Sequence, residues 1–188
     1  DEKDAMAKFR TGMGLAPVLI SMFANSPICD GELNGYRSYR EHIWTDTDRS
    51  RAGLLKFAFA PEASFAHYVE YALDVPMYFI IRKKDYIDMT GMTFRQFLQY
   101  GYNGERATVE DWGDHLTTLF PETRIKRYIE VRSVDSQPPE LMPALSALIK
   151  GAFYDADCLQ ASWDLVKGWS WDERMQVYLV SHQDALGA

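Results

Sequence analysis

The sequence predicts an α+β fold, mainly helices packed on a few antiparallel strands. Three observations predict it. Apolar residues recur at three- and four-residue steps over several stretches, the spacing that lines one face of a helix. Hydroxyl residues stand three positions ahead of Gln, Asp or Glu where three of these stretches begin, which caps a helix's first amides. Two short runs rich in β-formers flank a polar turn and read as a hairpin. The composition is that of a folding chain: 188 residues, 47% hydrophobic and 14% aromatic. That is enough apolar surface for a core and about the length of one domain.

Asp4 to Phe23 read as the first helix, with Met6, Phe9, Met13, Ala16, Ile20 and Phe23 as its apolar stripe. Asn25-Ser26-Pro27 ends it, because the residue before proline is pushed out of helical geometry. A polar, glycine-containing loop follows from Cys29 to Ser38. Ser64 caps a helix reaching Leu73, its apolar side formed by Phe65, Tyr68, Val69 and Ala72, and Asp74-Val75-Pro76 closes it. Met77 to Ile81 and Tyr86 to Met89 pair across Lys83-Lys84-Asp85. Thr93 and Gln96 form a capping box, with Gly101 as the stop; Thr108 and Asp111 repeat a weaker version ahead of Trp112, His115, Leu116 and Leu119. Glu140 to Lys150 and Asp155 to Lys167 have helical pattern, and Ser170 with Glu173 opens a last helix containing Met175, Tyr178 and Leu179.

Charge excludes some functions. Twenty Lys and Arg against 27 Asp and Glu leave a net charge of −7, with a pI near 5.1. A general binder of nucleic acid or of an anionic membrane needs clustered cations, so neither partner is expected. A local basic pocket for a small anion stays open. No segment reaches the ~20 apolar residues of a membrane span; the nearest, Met13 to Ala24, is interrupted by Pro17. Cys29 and Cys158 lack a C-x-x-C spacing and read as reduced thiols of a cytoplasmic protein. The opening Asp1-Glu2-Lys3-Asp4 reads as a charged helix start in mid-protein, so a fragment is expected.

Two stretches carry chemistry. If Arg124 to Arg132 is one extended strand, Ile125, Ile129 and Val131 share a core-facing side, while Lys126, Tyr128, Glu130 and Arg132 share the other. A carboxylate and a guanidinium two residues apart on one face can hold a divalent cation and a phosphate side by side. The same residues also suit an ion-paired solvent face on an edge strand. Ser38 to Arg51 is dense in groups able to grip a zwitterion, with three arginines, His42, Asp46, Asp48 and Trp44. It equally suits a salt-bridged helix face, and His42 suits a structural hydrogen bond. No phosphate loop, HExxH, GxSxG or zinc spacing is present.

At these same places the chain resembles a known family. The blocks are Phe9-Arg10-Thr11-Gly12, Phe23-Ala24-Asn25-Ser26-Pro27, Asn34-Gly35, Ser38-x-Arg40 and His42-Ile43-Trp44-Thr45-Asp46-Thr47-Asp48. They continue with Tyr71 to Phe79, Tyr86 to Phe97, His115-Leu116-Thr117-Thr118-x-Phe120-Pro121 and Glu130-x-Arg132. Together, and in this order, they resemble glutamate–cysteine ligase, in the branch shared by plants and many proteobacteria.

The resemblance implies part of a glutamine-synthetase-like catalytic domain, residues 1–188 forming one unit. It further implies that an upstream metal-binding part and a C-terminal helical part lie outside the chain. It implies ATP and Mg²⁺, with L-glutamate phosphorylated on its γ-carboxylate and L-cysteine attacking through its amine, the first step of glutathione synthesis. An isolated fragment is expected to be inactive. By the same resemblance Glu130 is a metal ligand and Arg132 a catalytic contact to nucleotide or acyl phosphate. Arg40 matches a substrate-carboxylate arginine, and Tyr78 with its neighbour Met77 lines the amino-acid pocket. Lys126 contributes to nucleotide binding, and Asn25, Trp44 and Arg124 are further motif members. The plant enzymes' regulatory disulfide has no counterpart, since Met89 stands at one of its positions, so plant-type redox switching is not expected. A related ligase with another amine acceptor, or a non-catalytic binding remnant, would carry many of the same blocks. An open sheet edge left by truncation would invite a homodimer.

Overall fold

The computed structural model describes residues 1–187. The first helix, α1 (Glu2–Phe23), is the axis of the molecule. Its six stripe residues are all buried, and so is the run Thr11 to Pro17 on every side, because other elements surround it. Two glycines make that possible. A Cβ on Gly12 would fall 2.5 Å from Thr123 Oγ1, and one on Gly14 2.6 Å from Val166 Cγ2. Only a bare backbone lets α1 approach those neighbours so closely. Ala24 then leaves the helix on extended backbone, just ahead of the expected break at Asn25-Ser26-Pro27.

After α1 come a minimal hairpin, β1 (Ile28–Cys29) with β2 (Glu32–Leu33), and α2 (Tyr39–Thr45), capped by Ser38. The strand β3 (Ala52–Gly53) and a 3₁₀ turn, Lys56–Phe59, lead to α3 (Phe65–Asp74). The expected cap at Ser64 is present, its hydroxyl accepting from the His67 N–H. The hairpin β4 (Phe79–Arg82) and β5 (Asp85–Asp88) turns at Lys83 and Lys84, both with positive φ, the conformation a two-residue hairpin turn requires. Next are α4 (Phe94–Tyr100) and α5 (Val109–Thr117), each opened by its capping box, and then β6 (Phe120–Pro121). Arg82 fastens the hairpin to α5 with two hydrogen bonds, 2.7 and 2.9 Å, to Asp111. The chain closes with α6 (Met142–Tyr154), α7 (Ala156–Val166) and α8 (Trp171–Asp184). α7 and α8 pack back on α1.

The α+β expectation holds, with two corrections. The pair β3–β6 is parallel, although only antiparallel strands were expected. More consequentially, Arg124 to Arg132 is not one strand. It is a hairpin of β7 (Thr123–Ile125) and β8 (Ile129–Val131), turning at Lys126, Arg127 and Tyr128. None of the three turn residues has a positive φ, so no glycine or asparagine marks the turn. Each sheet has two strands, too few to stand alone in water, and α1, α2 and α5 pack on three of the four. Both cysteines are free thiols, Cys29 half-buried and Cys158 exposed. No helix among the described residues is long and apolar enough to cross a membrane.

Candidate functional site

The hairpin correction changes which side chains meet. Arg124 stands directly across from Glu130 in the register. Its Nε and Nη2 lie 2.8 and 2.6 Å from one carboxylate oxygen of Glu130, and its Nη1 donates to the carbonyls of Thr117 and Leu119. The other Glu130 oxygen lies 3.4 Å from Arg132 Nη1. Glu130 and Arg132 therefore do project from the same side, as the two-residue spacing requires. Lys126, expected beside them, is carried away by the turn to a different cavity, with Tyr68, Val69 and Tyr128.

Arg132 shares a narrow crevice, with no room inside for a water molecule, with Arg40, Glu41, Trp44, Phe120 and Glu122. Its guanidinium lies 5.4 Å from the Phe120 ring centre and 5.7 Å from that of Trp44, and these rings are 5.0 Å apart. Burial, and then the like charge of Arg124, pulls the Arg132 pKa down. Such a cation gains from a bound anion.

Beneath the two arginines lies a buried acid cluster. Tyr178 Oη is 2.8 Å from Glu41 Oε1 and 2.7 Å from Glu122 Oε1, and both carboxyls are almost fully buried. One phenolic hydrogen cannot serve two carboxylates. Burial, followed by the charge of Glu122, pushes the Glu41 pKa up to about 9. A protonated Glu41 can donate to Tyr178 Oη while Tyr178 donates to Glu122, so one extra proton satisfies the trio. Glu41 Oε2 also lies 3.2 Å from Arg40 Nη1 and steadies that side chain.

Asp135 locks the loop carrying these groups. It accepts from the Asn25 N–H at 2.7 Å and from the hydroxyls of Ser26 and Ser38, each at 2.7 Å. The Ser26 hydroxyl in turn accepts from the Arg40 N–H. The two serines of the Ser-Pro and Ser-x-Arg blocks are thus tied through a single carboxylate. Spacing gives no sign of Asp135, Glu122 or Tyr178, because their partners lie 56 to 137 residues away.

The remaining expected residues lie outside the crevice. Met77 is 1% exposed and packs in the core with Ile80, Met89, Phe94 and Phe97. Tyr78 lies on the surface, its ring centre 3.7 Å from the guanidinium of Arg51. Arg51 binds Asp48, the Thr118 hydroxyl and carbonyl, and the Pro76 carbonyl. His42 stacks on Tyr36 at 3.9 Å. Asp48 is held by Ser50 and Arg51, while Asp46 is exposed. Among the described residues no three His, Cys, Asp or Glu side chains gather as a metal cluster.

Comparison with known proteins puts names beside this geometry. A family model described as glutamate-cysteine ligase family 2 matches residues 1–186. The chain is 51% identical over 176 residues to a chloroplastic glutamate–cysteine ligase of Arabidopsis thaliana. It is 50% identical to that of Medicago truncatula and 49% to ligase B of Oryza sativa subsp. japonica. Each alignment covers 92% of this chain, which spans about a third of the length of these curated relatives (34–36%). These relatives are named as chloroplast enzymes, which overturns the cytoplasmic expectation.

Proposed function

Since the chain belongs to glutamate-cysteine ligase family 2, we propose that it forms one wall of a site joining the γ-carboxylate of L-glutamate to the amine of L-cysteine. ATP transfers its terminal phosphoryl group to that carboxylate and leaves as ADP. The cysteine amine then attacks the acyl carbon, loses a proton and displaces phosphate, giving γ-glutamylcysteine. A free carboxylate is a poor electrophile, and phosphorylation gives it a leaving group. The protein's share is positioning and charge neutralisation.

The observation that carries this reading is the convergence of Arg40 and Arg132 on the crevice, steadied by Glu41 and Glu130, with Arg124 paired to Glu130 behind them. Arg132 has donors to spare for phosphoryl oxygens, over a wall made by Trp44 and Phe120. Arg40, 33% exposed and steadied by Glu41, is placed to meet a substrate carboxylate. Arg124 holds Glu130 in place. Mg²⁺ suits this donor set in part, since it commonly takes one or two carboxylates plus phosphates and water. Glu130 is the carboxylate that would hold it, with further ligands from substrate and from residues outside 1–188. When bound, the metal would neutralise phosphate charge. Tyr78 enters indirectly, through Arg51, whose carbonyl accepts from the Phe120 N–H at 2.7 Å.

The homodimer in this reading rests on the open edges of the two-stranded β7–β8 and β4–β5 sheets. ADP release that depends on both glutamate and cysteine tests the central reaction. A longer protein carrying this chain should show it, and residues 1–188 alone should not. A longer protein that releases no ADP with both amino acids present would refute the reaction. Equal release with other amines in place of cysteine would reassign the acceptor.

A further inference from the structure

Asp135 lies three residues beyond Arg132, and the chain between them is pinned. The Arg132 N–H donates to the Glu122 carbonyl at 2.9 Å, and Ser133 is fully buried. The Asp135 carboxylate therefore has a fixed place relative to Arg132, just after β8. From there it reaches across to the segment that opens α2. It is 4% exposed, and no Lys or Arg among the described residues pairs with it.

Its neighbours set the direction of its hydrogen bonds. The Ser26 hydroxyl oxygen accepts from the Arg40 N–H at 3.1 Å, and that of Ser38 from the Glu41 N–H at 3.3 Å. Both hydroxyl hydrogens are then free to point at Asp135, each oxygen 2.7 Å away, beside the Asn25 N–H at the same distance. Three donors converge on one group that only accepts, the chemistry of a carboxylate and not of an amide. One of these links continues to Arg40, whose guanidinium is steadied by Glu41 and stays one-third exposed. Two hydrogen bonds in series, Asp135 to Ser26 and Ser26 to the Arg40 N–H, thus join the strand that leads to Arg132 to the backbone from which Arg40 projects. Taking a carboxylate out of water is costly even when it is hydrogen-bonded. A plain loop tie does not need one, whereas fixing the separation of two cations does call for a rigid link.

We propose that Asp135 is a positioning residue for substrate capture: it sets where Arg40 stands relative to Arg132, so that one guanidinium meets the carboxylate of glutamate while the other faces phosphoryl oxygens. This inference rests on the roles given to Arg40 and Arg132 above. Asp135 does not line the crevice and acts through Ser26. Small errors suffice to matter, since a displacement of about 1 Å in a positioned group can cost on the order of a hundredfold in rate.

The test is steady-state kinetics of a longer protein carrying this chain, with two variants. Ser26→Ala removes the link to Arg40 and leaves the other two bonds of Asp135. Asp135→Asn turns one acceptor into a donor. Each should raise KM for L-glutamate at least about fivefold and leave KM for L-cysteine within about twofold. A merely structural role would lower kcat through loss of folded enzyme and leave both KM values alone. In an Arg40→Gln background Ser26→Ala should add nothing to the glutamate KM, because the link then positions nothing. An unchanged glutamate KM in either variant, an equal rise for cysteine, or a full further rise in the Arg40→Gln background would overturn the proposal. If the native protein releases no ADP, the reaction fails by itself and calorimetric titration with L-glutamate decides the role of Asp135. The same fivefold weakening in Ser26→Ala is then expected; equal affinity, or no binding by the native protein, overturns it.

Discussion

Arg51 and Arg132 meet at Phe120, one through the backbone and the other through the ring, yet their surroundings differ in kind. Arg51 is 2% exposed and spends its donors on Asp48, Thr118 and Pro76, with Tyr78 stacked over it. Arg132 is 17% exposed, and its one side-chain hydrogen bond among the described residues is the long contact to Glu130. A guanidinium saturated by its own fold has nothing left for a ligand. One held mainly by ring faces keeps its fork available. Arg51 ends the charged Ser38–Arg51 stretch and Arg132 ends the Glu130-x-Arg132 block, so membership of a conspicuous stretch does not distinguish structural from functional use; the donor count does.

The sharpest way to break this contrast is Arg51→Ala. It removes a buried cation and strands two carbonyls, and should destabilise the chain by about 3 kcal/mol, read as a lower midpoint in urea. A loss below about 1 kcal/mol would put Arg51 in the same class as Arg132. Arg132→Ala should do the reverse. In a longer, active protein it should raise the barrier by about 2–4 kcal/mol, seen in kcat/KM, while the denaturation midpoint barely moves.

The smallest effect belongs to the acid cluster beneath them and depends on pH. The Glu41 pKa is raised to about 9 in the fold by burial and then by Glu122. The folded state therefore binds the extra proton more tightly than the unfolded chain. Its contribution is fully present below about 4.5, the ordinary value, and is lost as pH rises through about 9. Glu41→Gln should flatten that decline and gain about 1–3 kcal/mol over the native chain at pH 8. Parallel urea titrations at pH 5 and 8 would show it. An equal gain at both values would remove the shared proton from the account.

The same contrast explains what could be read from sequence. Helix starts were legible at Ser64, Thr93, Thr108 and Ser170, because a cap and its amide lie within four residues of each other. The Lys83-Lys84 turn was legible from the β-rich runs around it. The turn at Lys126 to Tyr128 was not, since it uses ordinary backbone angles and no turn residue. That one misreading seated Lys126 beside Glu130 and hid Arg124 across the hairpin. Tyr178, Glu122 and Asp135 were illegible for a different reason. Their roles arise only when distant segments meet, and no local pattern records such a meeting.

The central position of α1 has a consequence for how the molecule is made. Helix α1 leaves the ribosome well before α7 and α8, which pack on it. Until α6 and α7 arrive, Leu15, Leu19 and Phe23 have no partners from Phe153 or Val166. Synthesis therefore leaves a greasy rod exposed while the residues between are made, a natural client for chaperones and a hazard in fast overexpression.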